Sequence, residues 1–159
     1  MNKNKLRVAA ISFITPVTAD VIGSWVTLPN LSPWYEGLMK PSFNPPNWLF
    51  GPVWTLLYLL MGIALYLAWT ENVKKRTERG WAIRAFFFQL VLNVVWSIVF
   101  FGFHNLWLGV IIILGLWGMI LLTMKLFWSL SRSATYLLIP YITWVTFATV
   151  LNMAIALLN

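Results

Sequence analysis

The sequence predicts an all-α, polytopic membrane protein, a bundle of five transmembrane helices, on three observations. Of its 159 residues 60% are apolar and only 9% are charged, whereas a soluble domain carries roughly a quarter charged residues and needs them to solvate its surface. The apolar residues gather in five runs, each near the roughly 20 residues that cross a bilayer. Ten of the eleven Lys and Arg residues fall on one side of those runs. The same composition excludes disorder, and the absence of cysteine excludes a disulfide framework, thiolate metal sites and thiol catalysis.

The first span covers residues 7–28. Its basic start (Lys3, Lys5, Arg7) imitates a signal peptide, but no small-residue cleavage site follows and the apolar stretch continues past Asp20 to Trp25, so a retained helix is expected. Residues 29–45 read as a structured lid loop, because Pro29, Pro33, Pro41, Pro45 and Pro46 would leave broken helical backbone in lipid. The second span, 46–69, is expected to take Asn44 as its cap, with Pro45 and Pro46 in its first turn and a local distortion at Gly51 and Pro52. The third span is 81–103. The fourth, 106–130, is bracketed by Trp107 and Trp128, about 31 Å apart along a helix, as interfacial belt residues are. The fifth is 133–158, and the whole of 1–159 forms one membrane domain.

Five spans place Lys3, Lys5, Arg7, Lys74, Lys75, Arg76, Arg79, Arg84, Lys125 and Arg132 on one side and only Lys40 on the other. By the positive-inside rule the N-terminus is cytoplasmic, and the proline-rich loop, the turn at His104 and the C-terminus face outward. The net charge of +7 is accounted for by this anchoring. No basic stripe or RNA-binding motif accompanies it, so the expected partner is the lipid bilayer and not nucleic acid. Short inner loops without a targeting presequence point to a prokaryotic cytoplasmic membrane.

Polar side chains are costly against lipid and belong inside the bundle. Pro16, Asp20, Gly23 and Thr27 recur on one face of the first helix, and Trp54, Tyr58 and Met61 share a face of the second. Gln89, Asn93 and Trp96 line the third helix, and Tyr141, Trp144, Ala148 and Asn152 the fifth. At the helical rise, Asp20 and Trp54 lie about 12 Å from the outer ends of their helices, Trp96 about 10 Å, and Asn93 and Ala148 about 15 Å. These residues converge in the outer half beneath Trp34, Tyr35 and Trp48, a mostly apolar aromatic pocket with a few hydrogen-bonding groups. A flat, conjugated, amphipathic ligand suits it, and Lys40 is the one cation available there for a ligand carboxylate. A structural alternative stands beside this reading: Gln89, Asn93 and Asn152 can serve as interhelical hydrogen-bond glue, and Asp20 can hold a neighbouring helix. Trp25, Trp69, Trp81, Trp107 and Trp128 read as belt residues, and His104 as a polar turn residue. The fourth helix has no polar stripe; Gly109, Gly115 and Gly118 are expected to let a neighbour approach closely.

Three runs carry a resemblance over nearly the whole chain. The first is Trp34-Tyr35-Glu36-Gly37-Leu38-Met39-Lys40-Pro41-Ser42-Phe43-Asn44-Pro45-Pro46-Asn47-Trp48, followed by Gly51-Pro52-Val53-Trp54-Thr55-Leu56-Leu57-Tyr58 and Met61-Gly62. The others are Gln89-Leu90-x-Leu92-Asn93-x-x-Trp96-Ser97 with Phe100-Phe101-Gly102, and Pro140-Tyr141-x-x-Trp144 with Phe147-Ala148-Thr149-x-Leu151-Asn152. Together they resemble the translocator protein family, also called tryptophan-rich sensory proteins or peripheral-type benzodiazepine receptors. The resemblance implies a five-helix bundle, commonly a homodimer, that binds protoporphyrin-like tetrapyrroles or isoquinoline and benzodiazepine-type small molecules beneath the first loop. It also implies, for some bacterial relatives, light-dependent oxidative breakdown of protoporphyrin, with the tryptophans matching Trp54 and Trp144 implicated. Ala148 matches a position whose size tunes ligand and sterol binding. The sterol motif of the last helix, a tyrosine followed by Lys or Arg, is missing here, and a formal match at Leu31, Tyr35 and Lys40 falls in the loop.

The expected site is therefore Trp34, Tyr35, Trp54, Tyr58, Gln89, Asn93, Trp96, Tyr141, Trp144, Ala148 and Asn152, with Asp20, Gly23 and Lys40 as further candidates. No metal and no required cofactor is expected; porphyrin would be a ligand or a photosensitiser. Two functions compete: binding for sensing, sequestration or transport, and photo-oxidative degradation in which Trp54 and Trp144 act as redox partners. A purely structural or signalling role would predict no pocket. Asp20, Glu36, Glu71 and Glu78 are dispersed, so no hydrolytic constellation emerges. No strict GxxxG pattern marks a dimer face, although Ala64 and Ala68 form a small-residue pair on the second helix.

Overall fold

The computed structural model describes residues 3–71 and 76–159, and every regular element among them is helical. They are α1 (Lys3–Asn30), α2 (Asn47–Thr70), α3 (Arg76–Ser97), α4 (Leu106–Trp128), α5 (Arg132–Leu137) and α6 (Ile139–Leu158). α5 and α6 make one span, so five helical stretches are long and apolar enough to cross a membrane. Lys74, Lys75 and the side chain of Arg76 lie outside the described residues.

α1 packs on α2 and α3, α4 packs on α3 and α6, and α2 meets the fifth span through α5. The helices thus close a ring in the order α1, α2, α5–α6, α4, α3. α1 buries Ser12, Pro16, Ala19 and Gly23, one stripe at helical spacing, so the first apolar run is an integral wall of the bundle. The fifth span breaks at Leu138 (φ −89°, ψ −6°) because Pro140 near the start of α6 has no N–H to return to the preceding turn. α2 is closed by its neighbour in sequence: Arg79 donates to the carbonyls of Trp69 and Glu71 at 3.4 and 3.2 Å. Asn105 caps α4, accepting from the Leu108 N–H at 3.0 Å.

The proline-rich segment departs from its expected form. α1 does not stop before Pro29 but runs through it to Asn30, then continues as a wider π-type turn over Leu31–Tyr35. A proline deprives only the carbonyl four residues back, and here the Asn30 side chain supplies a donor to the neighbouring last-turn carbonyl of Val26 at 2.8 Å. The kink comes at Ser32 (φ −131°, ψ 131°), the residue that Pro33 forces out of the helical region. Asn44 does not cap α2. Its side chain accepts from the Tyr35 hydroxyl at 2.7 Å and donates to the Pro45 carbonyl, and Pro46 is extended (φ −60°, ψ 142°) just ahead of the helix. Gly51 and Pro52 leave α2 uninterrupted, since a proline in the second turn orphans one carbonyl near an end that is already open.

The lid is folded and fastened. The Lys40 ammonium donates to the carbonyls of Tyr35, Glu36 and Leu38 at 2.7, 2.8 and 3.1 Å. Asn159 exchanges two hydrogen bonds with the backbone of Met39, at 3.0 and 2.9 Å, and so ties the lid to the last residue. His104, at a left-handed φ of 56°, bonds Asn30 at 2.9 Å and stacks on Trp34 with ring centroids 4.2 Å apart.

Small residues set the close approaches, but not all those expected. A Cβ on Gly62 would meet Phe13 and the Ser12 carbonyl at 3.0 Å, and one on Gly109 would meet Phe100 and the Asn152 amide oxygen at 3.1 and 3.2 Å. Gly115 and Gly118 have nothing within 4 Å and face outward, because the buried stripe of α4 is Gly109, Val110, Ile113, Leu116 and Ile120. Ala64 and Ala68 are fully buried within the chain, so they are not open to a second copy. Gly62→Val should therefore wedge α1 from α2 and cost about 1–3 kcal/mol. Gly118→Val should change stability by less than about 0.5 kcal/mol. Thermal unfolding in detergent checks the pair; equal midpoints would contradict the packing described.

Candidate ligand-binding site

A cavity of about 270 Å³ lies among α1, α2 and α3, at the end of the bundle that carries the lid. Each helix contributes one stripe. From α1 come Asp20, Ser24, Thr27 and, just beyond it, Leu31; from α2 Asn47, Gly51, Trp54 and Tyr58; from α3 and its extension Trp96, Ser97 and Phe101. The first two stripes step by four, three and four residues, which is one helix face. Gly23 adds an open patch between the polar residues of α1, and Trp48 and Phe50 stand at the start of α2. The wall is thus mostly apolar and rich in aromatic rings, with hydroxyls and one carboxyl on the α1 side. That combination binds flat apolar molecules by stacking and orients them by a few hydrogen bonds.

Behind Tyr58 the buried polar residues form a continuous network across three helices. The Tyr58 hydroxyl donates to the Asn93 amide oxygen at 2.7 Å, and the Asn93 amide nitrogen donates to the Tyr141 hydroxyl at 3.0 Å. Tyr141 in turn donates to the Gln89 amide oxygen at 2.7 Å. A second pair joins Trp96 to Asn152 at 3.0 Å, and Asn152 donates to the Leu106 carbonyl at 3.2 Å. Without water in the hydrocarbon, these groups depend on protein partners, and only the Gln89 amide nitrogen in this network has none.

The expected site residues therefore divide. Asp20, Gly23, Trp54, Tyr58 and Trp96 line the cavity. Gln89, Asn93, Tyr141 and Asn152 lie in the network, 0–2% exposed, and do not reach the cavity wall. Trp34 packs on Phe100, Phe101 and His104, and Tyr35 is buried with its hydroxyl on Asn44, so both build the lid. Lys40 spends its three N–H groups on lid carbonyls, which leaves no donor for a ligand carboxylate. Trp144 packs edge-on to Phe50, centroids 6.0 Å apart, on the far side of the cavity wall; its indole N–H is buried without a partner. Ala148 is buried in the core. Sequence reasoning missed Ser24, Asn47, Phe50, Gly51, Ser97 and Phe101. The signal was present, since Asn47 and Gly51 extend the stripe of Trp54 and Tyr58 by whole turns. Among the described residues no group of His, Asp and Glu gathers as metal ligands do.

Fold and site define a five-span membrane protein with an aromatic, lid-covered cavity. Residues 12–158 match the model of the TspO/MBR family, and the chain belongs to that family. It is 46% identical over 156 residues to the tryptophan-rich protein TspO of Archaeoglobus fulgidus, covering 98% of this chain and 99% of that one. The tryptophan-rich protein TspO of Chlorobaculum tepidum is 42% identical, covering 100% and 99%. The human translocator protein is 36% identical over 122 residues, 77% of this chain and 72% of the relative.

Tyr141→Phe deletes the hydroxyl that links Asn93 to Gln89 and leaves both amides short of a partner. It should lower stability by about 1–2 kcal/mol, read as a fall in the unfolding midpoint in detergent. An unchanged midpoint would show that the network holds nothing together.

Proposed function

We propose that this protein binds flat, largely apolar ligands in the cavity among α1, α2 and α3, tetrapyrroles of the protoporphyrin type and isoquinoline or benzodiazepine-like molecules among them, for sensing, sequestration or transport. The observation that carries the reading is the cavity's wall: Trp54 and Trp96 present indoles to one space in which Asp20, Ser24 and Ser97 offer hydrogen bonds. Membership of a family whose members are named translocator and tryptophan-rich sensory proteins supports a role in ligand handling. The volume, about 270 Å³, falls just below the range of ligand sites, roughly 300–1,000 Å³. It suits a two- or three-ring ligand, while a tetrapyrrole would enter by one edge and leave the rest at the mouth near Asn47 and Trp48. The positive-inside argument puts that mouth at the outer face of a prokaryotic cytoplasmic membrane. A homodimer is in keeping with the many apolar side chains that α4 leaves exposed, such as Ile111 and Leu114.

A second reading, light-driven oxidative breakdown of a bound porphyrin, is favoured by the position of Trp54. Its indole is on the cavity wall and lies 5.6 and 6.3 Å, centroid to centroid, from the rings of Tyr58 and Tyr141. Trp144 stands one aromatic layer back, behind Phe50. On this reading the porphyrin is the photosensitiser and Trp54 the nearer redox partner.

Gly23→Leu should fill the cavity from the α1 side, where the nearest atom to an added Cβ is the Ser97 hydroxyl at 3.4 Å. Protoporphyrin titrated in darkness and followed by tryptophan quenching should bind this variant at least about tenfold more weakly, a change of 1.4 kcal/mol. Unaltered affinity would place the ligand elsewhere. Illumination of the same samples addresses the second reading: progressive loss of the porphyrin's Soret band should slow more in Trp54→Phe than in Trp144→Phe, and no loss in the wild type rejects it.

A further inference from the structure

Among the described residues Asp20 is the one carboxyl on the cavity wall, and no basic side chain lines that wall. A charged group within a transmembrane span is expensive, and such groups are normally paired with one another or with backbone. Among the described residues the cation near the lid is Lys40, and it has all three N–H groups on carbonyls of Tyr35, Glu36 and Leu38. His104 faces Asn30 and Trp34. Ser24, one turn along α1, brings a hydroxyl to the same stretch of wall. The same wall carries the rings of Trp54, Tyr58, Trp96 and Phe101. Aromatic rings around a carboxylate attract cations twice over, through the ring quadrupoles and through the charge, in a space where low dielectric strengthens both.

We infer that Asp20 sets the charge preference of the cavity: the favoured ligand is a planar aromatic cation, a protonated or N-alkylated ring system, whose positive centre meets the Asp20 carboxylate between the indoles. Anionic ligands are disfavoured at that depth, and a tetrapyrrole with carboxylate side chains enters with its carboxylate-free edge foremost. This inference rests on the proposal that the cavity is a binding site, and it adds the chemistry of the ligand and its orientation.

Three isosteric tricyclic probes test it: 10-methylacridinium, 9-methylanthracene and anthracene-9-carboxylate, titrated by tryptophan quenching against the whole protein in nanodiscs of zwitterionic lipid. The wild type should bind the cation at least about tenfold more tightly than the anion. Asp20→Asn, which keeps shape and hydrogen bonding, should weaken the cation about tenfold, leave the neutral probe within about twofold, and strengthen the anion. Asp20→Glu should restore the cation preference. Because partition into the bilayer is common to all variants, the change between variants is the readout. A cation-to-anion ratio that is the same in wild type and Asp20→Asn overturns the inference. If the neutral probe binds and is displaced by Gly23→Leu, that result leaves the cavity itself standing as the site. Failure of the neutral probe to bind at all, or its indifference to Gly23→Leu, overturns the binding-site proposal and this inference with it.

Discussion

The structure depends on one constraint: in hydrocarbon, a polar group without a protein partner is left with none. The chain contains several such groups in mid-span, and it pairs most of them by linking Tyr58, Asn93, Tyr141 and the amide oxygen of Gln89 through hydrogen bonds of 2.7–3.0 Å, while the Gln89 amide nitrogen stays without a partner. That network joins α2, α3 and α6 across the interior of a ring whose neighbouring helices otherwise touch mainly through apolar side chains. Apolar contact between helices is weakly directional in lipid, because tails offer nearly the same surroundings as a neighbouring leucine. Directional bonds between named side chains therefore fix the rotation of each helix about its axis. The Trp96–Asn152–Leu106 chain does the same for α3, α6 and the start of α4.

With those rotations fixed, the cavity follows. α2 turns Tyr58 toward the network, which carries Trp54, Gly51 and Asn47 to the side facing α1. α3 turns Asn93 inward, and the next residues of its face, Trp96 and Ser97, reach the same space. α1 is held by close packing at Gly62 rather than by the network, and it brings polar side chains that have no place in the network. The lid closes over this end with its own internal bonds, its lysine included. The polar residues of the bundle thus do two separate jobs: one set bonds to itself and sets geometry, and the other is left open toward a space.

Much of this was legible in the sequence. The five spans, their approximate limits and the inward faces of Tyr58, Gln89, Asn93, Tyr141 and Asn152 follow from hydropathy and helical period, which encode burial directly. What period cannot encode is the partner of a buried group. Asn93 and Asp20 look alike in a helical projection, yet one has two bonds inside the protein and the other lies at a cavity with a serine for company. Depth and face alone put both in one pocket. The bonds of Lys40 are illegible for a related reason, since the carbonyls of Tyr35, Glu36 and Leu38 come within its reach only through the local fold of the lid, which composition does not reveal. Pro29 was given too much weight as a terminator because a helix near its end has few bonds left to lose.

The division between network and cavity is the central claim, and direct labelling tests it most sharply. A neutral three-ring ligand bearing a diazirine, irradiated while bound and located by peptide mass spectrometry, should label residues of α1 and α2 around Gly23–Thr27 and Trp48–Tyr58. Labelling confined to α6 around Trp144–Asn152, with α1 untouched, would contradict the account.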